Sequence, residues 1–198
     1  MTWRLALFGL VSSVLVGLVY LWTQPLIAAA REQARLDALY ALAAPLLVEG
    51  ALAQPVEVVW PDQPPSTLQN PAVITPIMQD GRWIGMVVPI RTDEGYSGPI
   101  QMLMALDRDG RIVGLRTIEH RETPGLGDRI DIAKSDWILS FNGLRYDDLT
   151  PPDWAVRNDG GQFDSFTGAT ITPRAVVSAV ASTLAYLQQH DLSMDWLP

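Results

Sequence analysis

The stretch DSFTGATITPR, Asp164 to Arg174, places Ser165, Thr167, Thr170 and Thr172 within eleven residues, with no lysine, histidine or cysteine among them. It stands directly ahead of the last apolar-periodic segment of the chain. A helix starting there would present unpaired backbone N–H groups and the positive end of its macrodipole. Together these make a natural seat for a phosphate. Gly168 lets the backbone approach a ligand closely, Ala169 keeps the surroundings small, and Arg174 offers a cation. No lysine follows the glycine, so the pattern is not that of a nucleotide-hydrolysing P-loop. A purely local reading stands beside the phosphate one. In it Thr172 is the helix N-cap, Pro173 is the first helical residue, and the hydroxyls only cap. The residues alone leave both open.

Other chemistries are excluded more firmly. The 198-residue chain has no cysteine, which removes disulfides, Cys-ligated zinc, iron–sulfur ligation and thiol nucleophiles. His120 and His190 are its only histidines, which argues against a histidine-based metal centre. A formal net charge of -8 offers no basic stripe to a nucleic acid. No Gly-x-Gly-x-x-Gly dinucleotide fingerprint is present. The adjacent acids Asp93-Glu94 and Asp147-Asp148 point to different sides of an extended chain and read as solvated turns rather than a catalytic pair. No catalytic residue emerges.

The elements that would position the hydroxyls follow from patterning. No charged residue occurs from Leu5 to Ala30. The apolar run Leu5–Trp22 spans 18 residues, close to what a bilayer core of about 30 Å needs. Trp3 at one end, with Tyr20 and Trp22 at the other, suit the membrane interface. The run is longer than an ordinary signal h-region, so a retained anchor is expected. A cleaved signal ending near Ala28-Ala29-Ala30 is the alternative. Arg4 and the free amine place the N-terminus in the cytoplasm and the bulk of the chain outside. Residues 28–48 read as a helix continuing from the anchor to a stop near Pro45. Pro55 to Pro76 reads as an extended entry segment. RWIGMVVPIRT (Arg82–Thr92) reads as a strand, and Ile100–His120 as two strands joined at Asp107-Arg108-Asp109-Gly110. Asp131–Phe141 reads as a short helix and Asp153–Arg157 as a strand. Val176, Val177, Val180, Leu184 and Leu187 share one face of a final helix. The fold class is α+β: one N-terminal transmembrane helix (1–30), a helical connector (31–55) and a single exported domain (56–198) with an antiparallel sheet and flanking helices.

Four ordered segments then carry a resemblance. SFTGATITPRAVVSAV resembles the flavin-attachment region of the G subunit of the Rnf (also called Rsx) electron-transport complex, a family related to the C subunit of the sodium-pumping NADH:quinone reductase. GYSGPI (Gly95–Ile100) resembles that family's Gly-Tyr-x-Gly-Pro-Ile segment. EHRETPGLGDRI (Glu119–Ile130) resembles its His-x-Glu-Thr-Pro-Gly-Leu-Gly loop, and WAVRNDGGQFD leads into the threonine motif. Phe166 departs from the pattern, standing where many relatives have a small hydroxyl residue.

The resemblance implies FMN joined by a phosphoester to Thr170, with Thr167, Gly168 and Ala169 completing the motif and Asp164 as its upstream acid. It implies an electron carrier within an ion-translocating ferredoxin:NAD oxidoreductase, not catalytic alone. The expected setting is the bacterial inner membrane, single-pass, with the C-terminal domain periplasmic. The partners implied are the other Rnf/Rsx subunits and a flavin transferase that uses FAD as donor. Within that frame the loop His120–Gly127 is expected to wall the flavin ring, with Thr123 and backbone N–H groups at Gly125 and Leu126 meeting it, Glu122 setting charge beside it, His120 as a proton donor, and Tyr96, Trp137 or Trp154 packing on its face. Against these stand a solvated acidic loop for Glu119, Glu122 and Asp128, a structural hydrogen bond for His120, and plain core for the aromatics. Trp60, Trp83 and Trp196 are assigned to packing. Two other functions remain open: a non-redox assembly component, and a separate exported flavoenzyme with non-covalent FMN.

Overall fold

The structure, a computed structural model, describes residues 2–47 and 51–190; Trp196 lies outside them. Helix α1 (Thr2–Ala43) runs 42 residues without a break, through Pro25. The anchor and the expected connector helix are therefore one element in their helical part. At about 1.5 Å per residue it is roughly twice as long as a bilayer core. Its first half is apolar all round and exposed, with Leu5 81% and Trp22 72% accessible. By length and composition it can cross a membrane. Thr23 returns its hydroxyl to the Val19 carbonyl at 2.9 Å, so this polar group is satisfied inside the helix. The chain divides into two compact units, the first ending at Asp37 and the second starting at Ala38.

The second unit is built on an antiparallel sheet. Its strands are β1 (Ala51–Leu52), β2 (Val56–Val58), β3 (Ala72–Gln79), β4 (Arg82–Thr92), β5 (Ile100–Asp107) and β6 (Ile112–Glu119), in the order β1-β3-β4-β5-β6, with β2 also paired to β3. The β5–β6 turn forms where the sequence places it. The Asp107 carboxylate accepts the N–H groups of Asp109 and Arg111, both at 2.9 Å, and Gly110 takes a left-handed φ of 72°. Period-two alternation sorts β4 and β5 between two cores. Met86, Val88, Ile90, Met102, Met104 and Leu106 face helix α2 (Ile171–Gln189) and the long loops. Val87, Leu103 and Ala105 face the other way, onto Leu39, Leu42 and Ala43 from the end of α1. Both faces are covered, so these strands read as unbroken apolar runs.

α2 buries Val176, Val177, Val180, Leu184 and Leu187, at about 1.5–3 kcal/mol for each large side chain. Three local expectations are corrected. Residues 72–76, expected as part of an extended entry segment, open β3; Pro76 sits inside that strand, and its missing N–H concealed the strand's pattern. Asp131–Phe141 is a turn followed by a short 3₁₀ helix, Trp137–Phe141. Asp153–Arg157 is no strand: Val156 makes a single bridge to Phe163 between 3₁₀ turns. That bridge depends on Gly161, where a methyl group would stand 2.1 Å from the Ala155 carbonyl oxygen and 2.3 Å from its carbon. Backbone atoms cannot step aside as a side chain can. Gly161→Ala is expected to destabilise the domain by about 1–3 kcal/mol, visible as a lower urea midpoint by tryptophan fluorescence.

Candidate cofactor site

Helix α2 begins earlier than its proline suggests. Thr170 holds the N-cap position with no side-chain capping bond, Ile171 is the first helical residue, and Pro173 is third. The expectation that Thr172 caps the helix is corrected. Thr172 is 1% exposed, and its hydroxyl donates to Glu122 Oε2 instead. Pro173 fits this register because an N–H in the first turn has no intrahelical acceptor. The hydroxyl loop ahead of α2 is pinned from below. Phe166 is 4% exposed, sits edge-on to Trp137 with centroids 5.0 Å apart, and bridges to Ala169 across the Thr167-Gly168 turn. Gly168 has φ 80°, the left-handed conformation that suits glycine.

Beside that turn lies a cleft of about 330 Å³ lined by Tyr96, Glu122, Thr123, Leu126, Gly127, Gly168, Ala169, Thr170, Ile171 and Thr172. It gathers the Gly95–Gly98 turn, the Glu122–Gly127 loop and the start of α2, which are far apart in sequence. Of the residues singled out from sequence, Tyr96, Glu122, Thr123, Leu126, Gly168, Ala169 and Thr170 line it. Thr167 and Gly125 lie outside the lining, and both are exposed. Gly127 closes the His120–Gly127 loop expected to wall the ring, Thr172 is read from sequence as a cap rather than a wall residue, and Ile171 is missed. Gly127 carries only the signal of standing in a glycine-rich loop.

The loop's donors are spent internally. The Gly125 N–H goes to Asp128 Oδ1 at 2.8 Å. The Leu126 and Gly127 N–H groups both go to the Thr123 carbonyl at 3.1 Å. The backbone N–H groups of Gly125 and Leu126, expected to meet a ring, are thus committed to closing the loop, which leaves the Thr123 and Leu126 side chains on the cleft wall. The loop is not a solvated acidic one. Glu122 is 4% and Asp128 8% exposed. Glu122 Oε1 accepts the Ser97 N–H at 3.0 Å, while the Glu122 N–H donates to His120 Nδ1 at 3.1 Å, a structural bond for that histidine.

Trp137 and Trp154 belong to the core. The Trp137 indole N–H donates to the Asp164 carbonyl at 2.9 Å and that of Trp154 to the Tyr146 carbonyl at 3.1 Å, and Trp154 stacks on Tyr146 and Phe163. Arg174 is also taken. It grips Asp159 through Nε and Nη2 at 2.5 and 2.6 Å, bracing α2 against the preceding loop. Among the described residues, the cleft lining carries no basic side chain. The Arg174 guanidinium holds the Asp159 carboxyl below its usual value. A depressed carboxyl contributes stability above its unfolded value and loses it as pH falls through the folded one. Protection of the 157–163 loop from proteolysis is therefore expected to hold from neutrality to about pH 4 and fade below. In Asp159→Asn that acid-dependent change is expected to disappear.

Residues 95–185 match the family model of the FMN-binding domain, and residues 2–42 that of the RnfG N-terminal region. The G subunit of the ion-translocating oxidoreductase complex of Pseudoalteromonas atlantica is 41% identical over 94% of this chain and 86% of its own length. The protein of the same name from Vibrio cholerae is 38% identical over 94% and 88%, and that from Pseudomonas aeruginosa 41% over 94% and 86%. Among solved structures, Shewanella oneidensis NqrC aligns over 63% of each chain with 26% identity and a TM-score of 0.47.

Proposed function

This chain belongs to the family of G subunits of the ion-translocating oxidoreductase (Rnf) complex, and on that premise we propose that it carries FMN esterified to Thr170 and passes electrons within that complex. One observation carries the choice of residue. Thr170 lines the cleft, and its side chain makes no capping hydrogen bond. Thr172 spends its hydroxyl on Glu122, and Thr167 stands on the exposed turn outside the lining.

The residues present suit the group. A phosphate on Thr170 would lie at the start of α2, where the N–H groups of Ile171 and Thr172 and the macrodipole favour negative charge. Gly168 and Ala169 leave it room. With no cation among the described lining residues, a covalent bond rather than ionic affinity would retain it. Thr123, Leu126 and Tyr96 would orient the ring and keep water from one face, and Glu122 would close the wall behind it. Gly125 and Thr167 would shape the two turns. Ligand sites commonly enclose about 300–1,000 Å³. A cleft of about 330 Å³ is at the small end of that range, so it would hold the ring-and-phosphate junction and leave an edge outside for a neighbouring redox centre. Bound there, FMN supplies the electron carrying; the protein supplies position and electrostatics.

Attachment would fall to a separate flavin transferase. In that reaction the Thr170 hydroxyl would take the place of AMP on the riboflavin-side phosphorus of FAD, with AMP leaving and the hydroxyl proton passing to solvent. The first 30 residues would anchor the chain in the bacterial inner membrane as a single pass, residues 31–55 would connect, and 56–198 would form the periplasmic FMN-binding domain. The complex would couple electron transfer between ferredoxin and NAD to ion movement. Denaturing electrophoresis of chain produced alongside the transferase tests the reading. Flavin fluorescence travelling with the band is expected. A dark band would favour an assembly role, and flavin released to the dye front would favour a non-covalent flavoenzyme.

A further inference from the structure

The most deeply committed group at the cleft is a carboxylate. Glu122 is 4% exposed, and its two oxygens are divided between two different walls. Oε1 takes the Ser97 N–H from the Gly95–Gly98 turn at 3.0 Å. Oε2 takes the Thr172 hydroxyl from the first turn of α2. The backbone is fitted closely around it. A methyl at Gly95 would come within 2.9 Å of Oε1, and one at Gly127 within 2.8 Å of both Oε2 and the Thr172 oxygen. At Gly127 such a methyl would displace the Glu122 carboxylate from this position, while at Gly95 the nearest obstacle is the Gly98 carbonyl oxygen, at 2.3 Å.

We propose that Glu122 is a positioning residue: its buried carboxylate ties the turn carrying Tyr96 to the helix start carrying Thr170, and so fixes the spacing of the two cleft walls between which the flavin is attached and held. The proposal rests on the FMN reading above. It assigns Glu122 a geometric task rather than an electrostatic one, and the two are separable by chemistry. In Glu122→Gln the amide oxygen still accepts from Ser97. The amide NH₂ then donates to the Thr172 oxygen, because a hydroxyl accepts as readily as it donates. The tie survives and the charge is gone. Glu122→Ala loses both. Thr172→Val keeps the shape of the side chain and removes only the link to α2.

The test uses the full-length chain in detergent, produced with the transferase, as wild type and as these three variants. Covalent flavin occupancy is read by intact mass over a time course, the midpoint potential of the attached flavin by titration, and the Ser97 amide by hydrogen exchange. A hydrogen bond to a charged group contributes enough that its loss shifts a local equilibrium by about ten-fold or more. Attachment in Glu122→Ala is therefore expected to slow, and Ser97 exchange to quicken, by roughly ten-fold. Thr172→Val is expected to slow attachment in the same direction while leaving Ser97 protected. Glu122→Gln should restore both rates to within about two-fold of wild type, with any residual change confined to the potential. Three results would overturn the proposal: wild-type attachment in Glu122→Ala, Ser97 exchange unmoved in that variant, or Glu122→Gln failing as severely as alanine. If Glu122→Ala does not fold, Thr172→Val and Glu122→Gln decide alone: normal attachment in Thr172→Val, or none in Glu122→Gln, refutes it. Flavin missing from the wild type would sink the FMN reading instead, and Ser97 exchange would then judge the tie by itself.

Discussion

Thr170→Ala is expected to abolish flavin attachment, leaving a folded chain whose denatured band is dark, whereas Thr167→Ala is expected to stay fluorescent. The difference follows from where each hydroxyl lies. Thr170 holds the N-cap position and lines the cleft, yet its side chain makes no capping bond, so its removal costs the fold little. An N-cap threonine that does cap contributes about 1 kcal/mol; this one has no such bond to lose. Thr167 occupies the exposed turn before Gly168. Thr170→Ser keeps an oxygen at the same position and is expected to retain some attachment, at a reduced rate because the rotamer is less restricted. Fluorescence that persisted in Thr170→Ala and vanished in Thr167→Ala would move the attachment point to the turn.

The second large effect is expected on stability. Phe141 is fully buried. It stacks on Phe163 with centroids 4.5 Å apart and meets Trp137 edge-on at 5.4 Å. Trp137 in turn meets Phe166, and Phe166 bridges to Ala169 next to Thr170. Phe141→Ala would remove the centre of this aromatic chain and leave a cavity, at a cost of about 3–5 kcal/mol. That is a large share of the roughly 5–15 kcal/mol that holds a typical domain together. A lower urea midpoint is expected, together with slower flavin attachment, because the floor of the hydroxyl loop loosens. Phe141→Leu refills most of the volume and should recover much of both. A midpoint unchanged in Phe141→Ala would contradict the role given to this cluster.

The departure at Phe166 is explained by the same cluster. In the sequence it stands out against the motif; in the fold it is the residue that fastens the motif to the core. Patterning exposes what depends on local periodicity: the apolar N-terminal helix, the β5–β6 turn at Asp107–Gly110, and the apolar face of α2. It misses what depends on long-range pairing. β3 hides behind Pro76, and the Asp153–Arg157 stretch is a bridge held by Gly161 rather than a strand. At the cleft, residue types identify the right segments but not the allotment of their hydrogen bonds. Thr172 reads as a cap because nothing local shows a buried carboxylate 50 residues earlier in the chain waiting for its hydroxyl. Arg174 reads as a phosphate partner because nothing local shows Asp159 folding back to meet it. Both are contacts across the fold, and sequence spacing alone does not encode them.

The central claim is a bond between one threonine oxygen and one flavin phosphate. Intact-mass measurement of this chain isolated from the native complex, followed by fragmentation of the peptide containing residues 158–174, tests it most directly. A mass heavier than the polypeptide by one FMN less one water, with the added mass on Thr170, is the result the account predicts. The unmodified mass in an assembled complex, or the added mass on any other residue, would contradict it.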